Sequence, residues 1–176
     1  MNETMNTLLK RRSIRKYQAK EVPMDLLKEI CKAGSYAPTA SGKQSPVIVC
    51  ITNKDDIDKL EAINAEIAGN PGGHTFYGAK AAILVLADKN NANRIYDGSL
   101  VMGNLMNAAA ALNLGSCWIH RARETFERED GKAFLKKWGI NGEYEGIGYC
   151  IVGYPDGSEA LFDGPARKDN YIHYIV

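Results

Sequence analysis

The stretch YDGSLVMGNLMNAAAALNLG, residues 96–115, constrains the fold more than any other part of the chain. At helical spacing Val101, Leu105, Ala108 and Leu112 form one face, and Met102, Met106 and Ala109 form a second apolar face. A helix that is apolar nearly all round belongs inside a protein, and its alanines let another helix approach closely. It is followed by SCWIH, a short extended piece. Two continuous apolar runs read as strands buried on both faces: VIVCIT (Val47 to Thr52) and Ala82 to Ala87. GIGYCIVGYP (Gly146 to Pro155) reads as a third, ended by Gly153 and Pro155.

The remaining segments supply cover for such a sheet. Asn6 to Arg12 reads as a short helix ending near Ser13. In VPMDLLKEICKAG, Pro23 suits a first helical turn, Leu27, Ile30 and Cys31 make one stripe, and Gly34 suits the C-terminal cap. KDDIDKLEAINAEIAG carries acids in its first turn and apolar Ile57, Leu60, Ile63 and Ile67 behind them. Residues 124–138 read as one amphipathic helix, and the alternating tail YIHYIV as a last strand. Tyr36 to Pro46, dense in breakers, is a loop. Helices interleaved with buried strands predict an α+β chain, a sheet flanked by helices, in a single domain over 1–176.

Charge narrows the function classes. KRRSIRKYQAK (Lys10 to Lys20) holds six basic side chains in eleven positions, yet the whole chain balances 22 Lys+Arg against 21 Asp+Glu. A nucleic-acid or membrane-surface protein normally carries a clear cationic excess with aromatics between the cations, and neither is present. A solvated surface is the plainer reading of any charge run. Here the patch lies where helix gives way to extended chain, Ser13 sits between Arg12 and Arg15, and guanidinium forks suit phosphate. One phosphate monoester on a small cofactor fits best. The chain shows no Walker loop, no GxSxG and no GxGxxG, and His74, His120 and His173 are scattered. Chemistry here therefore belongs to a bound cofactor. Cys31, Cys50, Cys117 and Cys150 lack CxxC spacing and read as reduced, buried thiols. With no apolar leader and no apolar run of membrane-spanning length, a cytoplasmic location is expected.

RRSIRKY (Arg11 to Tyr17), a helix, then APTASGKQSP (Ala37 to Pro46) resembles the opening of the FMN-dependent nitroreductase family. The similarity continues through FYGAKAAILVLAD (Phe76 to Asp88), LGSCWIH (Leu114 to His120), IGYCIVGYP (Ile147 to Pro155) and PARKDNYIHYI (Pro165 to Ile175). The resemblance implies a mostly antiparallel sheet flanked by helices. It also implies an intertwined homodimer with FMN at the subunit interface, and NADH or NADPH as electron donor. A nearly all-apolar helix and an alternating tail agree with a dimer, although burial within one chain accounts for both as well.

By similarity, Arg11, Arg12, Ser13 and Arg15 hold FMN: Arg11 the phosphate, Ser13 phosphate or ribityl, Arg15 the pyrimidine side of the flavin. Pro38, Thr39, Ala40, Ser41 and Gln44 reach the flavin of the other subunit, their small side chains lying flat against the ring. Trp118, Ile119 and His120 line the ring, the main chain at His120 mattering more than its imidazole, and Arg167 is a late phosphate ligand. For the His120 side chain a surface role, and for Trp118 a core role, stand beside these. The chain departs from the family where Gly42 and QSP replace the usual Asn and Gln-Pro-Trp, and where Pro165 replaces a Lys. The implied reaction is a ping-pong hydride transfer through flavin N5 from NAD(P)H to a small-molecule acceptor such as a nitroaromatic or quinone. No side-chain acid or base and no metal is required. A flavin-binding redox sensor or carrier without turnover is the alternative, with a nucleic-acid-binding protein third.

Overall fold

In the computed structural model, residues 2–158 and 164–176 are described. The apolar runs form β1 (Pro46–Ile51), β2 (Ala81–Asp88) and β4 (Tyr144–Gly153), and the extended piece after the apolar helix forms β3 (Gly115–Ile119). They make one antiparallel sheet in the order β1-β2-β4-β3, so the two longest apolar strands lie in the middle. Ala81 through Ala87 are all buried, as a strand covered on both faces must be.

Side-chain alternation divides β2 and β4 between two cores. Ile83, Val85, Cys150 and Val152 face α2 (Met24–Ser35) and α4 (Arg94–Ala111). Leu84, Leu86, Tyr149 and Ile151 face α3 (Lys54–Ile67), α5 (Ala122–Glu127) and α6 (Glu129–Lys137). Tyr149 packs between Phe76 and Phe126, with ring centroids at 5.1 and 6.4 Å. α4 is the apolar helix: Val101, Met102, Leu105 and Ala109 are buried in the first core.

Four local readings are corrected. The first helix, α1, spans Glu3–Lys10, because the Asn2 side chain accepts the Met5 N–H and starts it early. Gly34 does not cap α2 but lies inside it, where an added Cβ would sit 2.5 Å from Leu105 and 3.1 Å from Ile48. Residues 124–138 do not form one helix. Arg128 is extended at φ −79°, ψ 152°, separating α5 from α6. The tail forms no strand: Tyr171, Ile172, Tyr174, Ile175 and Val176 are exposed and unpaired with the sheet. Among the described residues no helix is long and apolar enough to cross a membrane.

Candidate functional site

The cationic patch and the edge strand β3 meet. α1 ends at Arg11, whose N–H donates to the Thr7 carbonyl, and the chain then runs beside β3. Ser13 bridges to Ser116 in parallel, and the Ile14 N–H donates to the Ser116 carbonyl at 3.0 Å. Gly115 is required at this junction, since a Cβ there would lie 2.9 Å from the Ile14 Cβ. The result is a cleft of about 490 Å³ lined by Arg11, Arg12, Ile14, Leu114, Gly115 and Ser116, among others.

Among the described residues, three buried polar atoms along this edge have no hydrogen-bond partner: Arg11 Nη1, Arg12 Nε and Trp118 Nε1. Ser116 and Trp118 are two apart on one strand and so point to the same face. Arg11 is half-buried, and its charge reaches inward as far as Cys150 on β4. Burial, with Cys117 adding to it, pushes the Cys150 thiol up to about 12, while the Ser116 side-chain hydrogen bond and then the Arg11 guanidinium act in the opposite sense. An orphaned guanidinium N–H in a cleft is costly without an acceptor, so the arrangement suits an anion.

The other predicted residues sort by position. Arg12 Nη1 donates to the Leu9 and Arg11 carbonyls at 2.7 and 2.8 Å, which caps the C-terminus of α1. Its Nε is buried without a partner among the described residues, close to where a Cβ on Gly164 would sit. Arg15 and Arg167 are exposed. The Ile119 side chain is buried in the core on the far side of the sheet, leaving only its main chain at the site edge. Trp118 and His120 rings lie 5.9 Å apart. The His120 carbonyl accepts the Asn64 side-chain N–H at 2.7 Å, which fixes the main chain where β3 ends, and Arg121 follows in the left-handed region at φ 75°.

Pro38, Thr39, Ala40, Ser41 and Gln44 are not part of this cleft. Their loop leads into β1, the opposite edge strand. It is anchored by buried Asp97, in the first turn of α4, which accepts the Ala40 N–H at 2.9 Å; Thr39 Oγ1 accepts the Gln44 N–H at 3.0 Å. The cleft lies at the other end of α4, beside Ala110, roughly 20 Å along the helix axis. Ser41, Gly42 and Gln44 hold positive φ of 54°, 65° and 50°.

Sequence reasoning missed Ser116, Asn64 and Asp97. Ser116 carried one usable signal, its i,i+2 spacing to Trp118.

A family model, that of the Nitroreductase family, matches residues 8–154. The chain belongs to the nitroreductase family. It is 26% identical over 174 residues to the "Putative NADH dehydrogenase/NAD(P)H nitroreductase" of Archaeoglobus fulgidus, covering 95% of this chain and 94% of that one. An FMN-dependent nitroreductase of Clostridium difficile R20291 aligns at TM-score 0.76 and 28% identity, over 97% and 98% of the two chains. A nitroreductase with bound FMN from Bacteroides fragilis aligns at TM-score 0.90 and 24% identity over the full length of both, which establishes the shared fold. The nitroreductase matches support an oxidoreductase.

Proposed function

We propose that this nitroreductase-family protein is an FMN-dependent NAD(P)H oxidoreductase acting on nitroaromatic, quinone or related small acceptors, and that it works as a homodimer. The observation that carries the reading is the buried Arg11 Nη1, unpartnered among the described residues, in a cleft walled by Gly115 and Ser116. The residues present fit the cofactor: an orphaned cation for a phosphate, and an orphaned indole donor on β3 for a polar edge beyond it.

When bound, FMN would supply the redox chemistry, carrying reducing equivalents from a nicotinamide nucleotide to the acceptor. The chain's own work is binding and positioning. Arg11 supplies the charge for the phosphate, while Arg12 neutralises the α1 carbonyls that would otherwise repel it. Trp118 Nε1 offers a donor along β3. Asn64 holds the main chain at His120 in one orientation. The loop at 38–44 lies about 20 Å along α4 from the Arg11 cleft, which supports a site completed by the loop of a second copy. Exposed Met5, Leu8 and Leu9 on α1, Ile95, Tyr96 and Leu100 on α4, and the apolar tail supply the surface such a dimer buries.

The test is spectroscopic. Purified protein is expected to be yellow, with flavin absorbance that bleaches under NADH or NADPH and returns when nitroaromatic or quinone is added. Bound FMN that neither nucleotide bleaches assigns the protein as a flavin-binding sensor or carrier instead. Colourless protein that takes up no added FMN overturns both.

A further inference from the structure

Cys31 and Cys50 come from different elements and meet. α2 crosses β1 so closely that a Cβ on Gly34 would stand 3.1 Å from Ile48 Cδ1. Cys31 lies three residues before Gly34, on the same helical face, and Cys50 lies two residues after Ile48, on the same strand face. Both cysteines pack on the core between the sheet and α2–α4, and their side chains hydrogen-bond to each other. None of the four cysteines is in a disulfide; Cys31 and Cys50 are half-buried, whereas Cys117 and Cys150 are buried. This pair therefore sits nearer to solvent than the other two thiols.

We propose that Cys31 and Cys50 form a peroxide-responsive dithiol, oxidised reversibly to a disulfide that ties α2 to β1. The roles of the two sulfurs differ. The hydrogen bond from Cys31 lowers the Cys50 thiol from its ordinary value and raises that of Cys31, with burial adding to the rise. Cys50 is therefore the nucleophile and Cys31 the resolving thiol. The Cys50 thiolate attacks one oxygen of hydrogen peroxide, so that an S–O bond forms, the O–O bond breaks and hydroxide leaves. The Cys31 sulfur then attacks the Cys50 sulfur; the S–S bond forms, the S–O bond breaks and the oxygen departs as water, taking the Cys31 proton. Two thiols and one peroxide give one disulfide and two waters. The closed segment contains the whole loop from Pro38 to Gln44, so the bond fixes both stems of that loop. A thiol reductant reverses it.

The experiment uses the purified full chain with whatever cofactor it retains. Native protein is treated with a small excess of hydrogen peroxide, blocked with an alkylating agent under denaturing conditions, digested with trypsin and read by mass spectrometry. The expected product is the peptide Glu29–Lys32 disulfide-linked to Gln44–Lys54, released by dithiothreitol, with Cys117 and Cys150 recovered as alkylated thiols. In Cys31→Ser protein, Cys50 is expected to stop at the sulfenic acid and to be trapped by dimedone. In Cys50→Ser protein, Cys31 is expected to stay a thiol. The proposal is overturned if wild-type Cys31 and Cys50 are both recovered alkylated, or if Cys50 passes to sulfinic acid without the linked peptide. It is equally overturned if Cys31 pairs with Cys150 instead, or if all four cysteines oxidise alike.

Discussion

Arg11 and Arg12 are neighbours in sequence and do different work. Arg12 donates from Nη1 to two backbone carbonyls, whereas Arg11 Nη1 is buried and, among the described residues, unpartnered. Charge-assisted hydrogen bonds contribute about 1.5–3 kcal/mol each. Arg11→Ala is therefore expected to weaken FMN binding roughly ten- to hundredfold in a fluorescence titration of the apoprotein. Lys16→Ala, at an exposed position of the same basic run, is expected to change it by less than about twofold. Asp56 is the counterpart on the stability side. Its buried carboxylate accepts from Lys137 Nζ and from Trp138 Nε1 at 3.0 Å. The Lys137 hydrogen bond, with Trp138 and nearby charge, holds the carboxyl below its ordinary range against the effect of burial. A carboxyl that titrates lower folded than unfolded contributes fully above the unfolded value of about 3.9, and loses that contribution as pH falls through the folded value. Asp56→Asn is thus expected to cost about 2 kcal/mol at neutral pH, a fall in Tm of roughly 4–8 °C. The gap to wild type should narrow in melts below about pH 4; a gap that stays constant down to pH 2 contradicts this assignment.

At the scale of elements, tertiary contacts decide what periodicity leaves open. α5 and α6 look like one helix because the apolar spacing runs on through Phe126, Phe134 and Leu135. The break at Arg128 brings Gly131 against the Thr125 carbonyl, where a Cβ would stand 1.8 Å from that oxygen. Gly131→Ala, benign in an ordinary helix, is here expected to cost about 1–3 kcal/mol and lower Tm by roughly 3–10 °C, read by thermal melts. The same limit explains what was legible in the sequence. β2, with seven buried residues in a row, was plain because burial on both faces leaves one reading of an apolar run. The basic run at Arg11 was plain because its charge density has few uses. Ser116 was not, because a lone strand serine says nothing until the strand's faces are assigned. Asp97 was not, because its bond to the Ala40 N–H joins residues that no local pattern relates. The break at Arg128 and the meeting of Cys31 with Cys50 likewise arise only from how elements pack.

For the whole molecule, the separation of the loop from the Arg11 cleft makes a quantitative demand on assembly. If each site takes its Arg11 side from one copy and its loop from another, then defects in the two halves complement each other across a dimer. Arg11→Ala damages the first half. Ser41→Trp, at an exposed loop position tied to neither core, damages the second by placing a large ring where the loop must lie flat. Homodimers of either variant have two damaged sites and are expected to purify nearly colourless. In a mixed dimer both defects fall on one site, and the other has an intact Arg11 and an intact loop. With equal co-expression and random pairing, half the dimers are mixed and each carries one sound site in two. Recovered flavin absorbance should then be about a quarter of wild type. Tandem affinity purification of the mixed species through two different tags should raise it to about one half. If each site were built within one chain, both variants would stay colourless in every mixture. The fraction of flavin recovered therefore separates a shared site from a private one without any measurement of turnover.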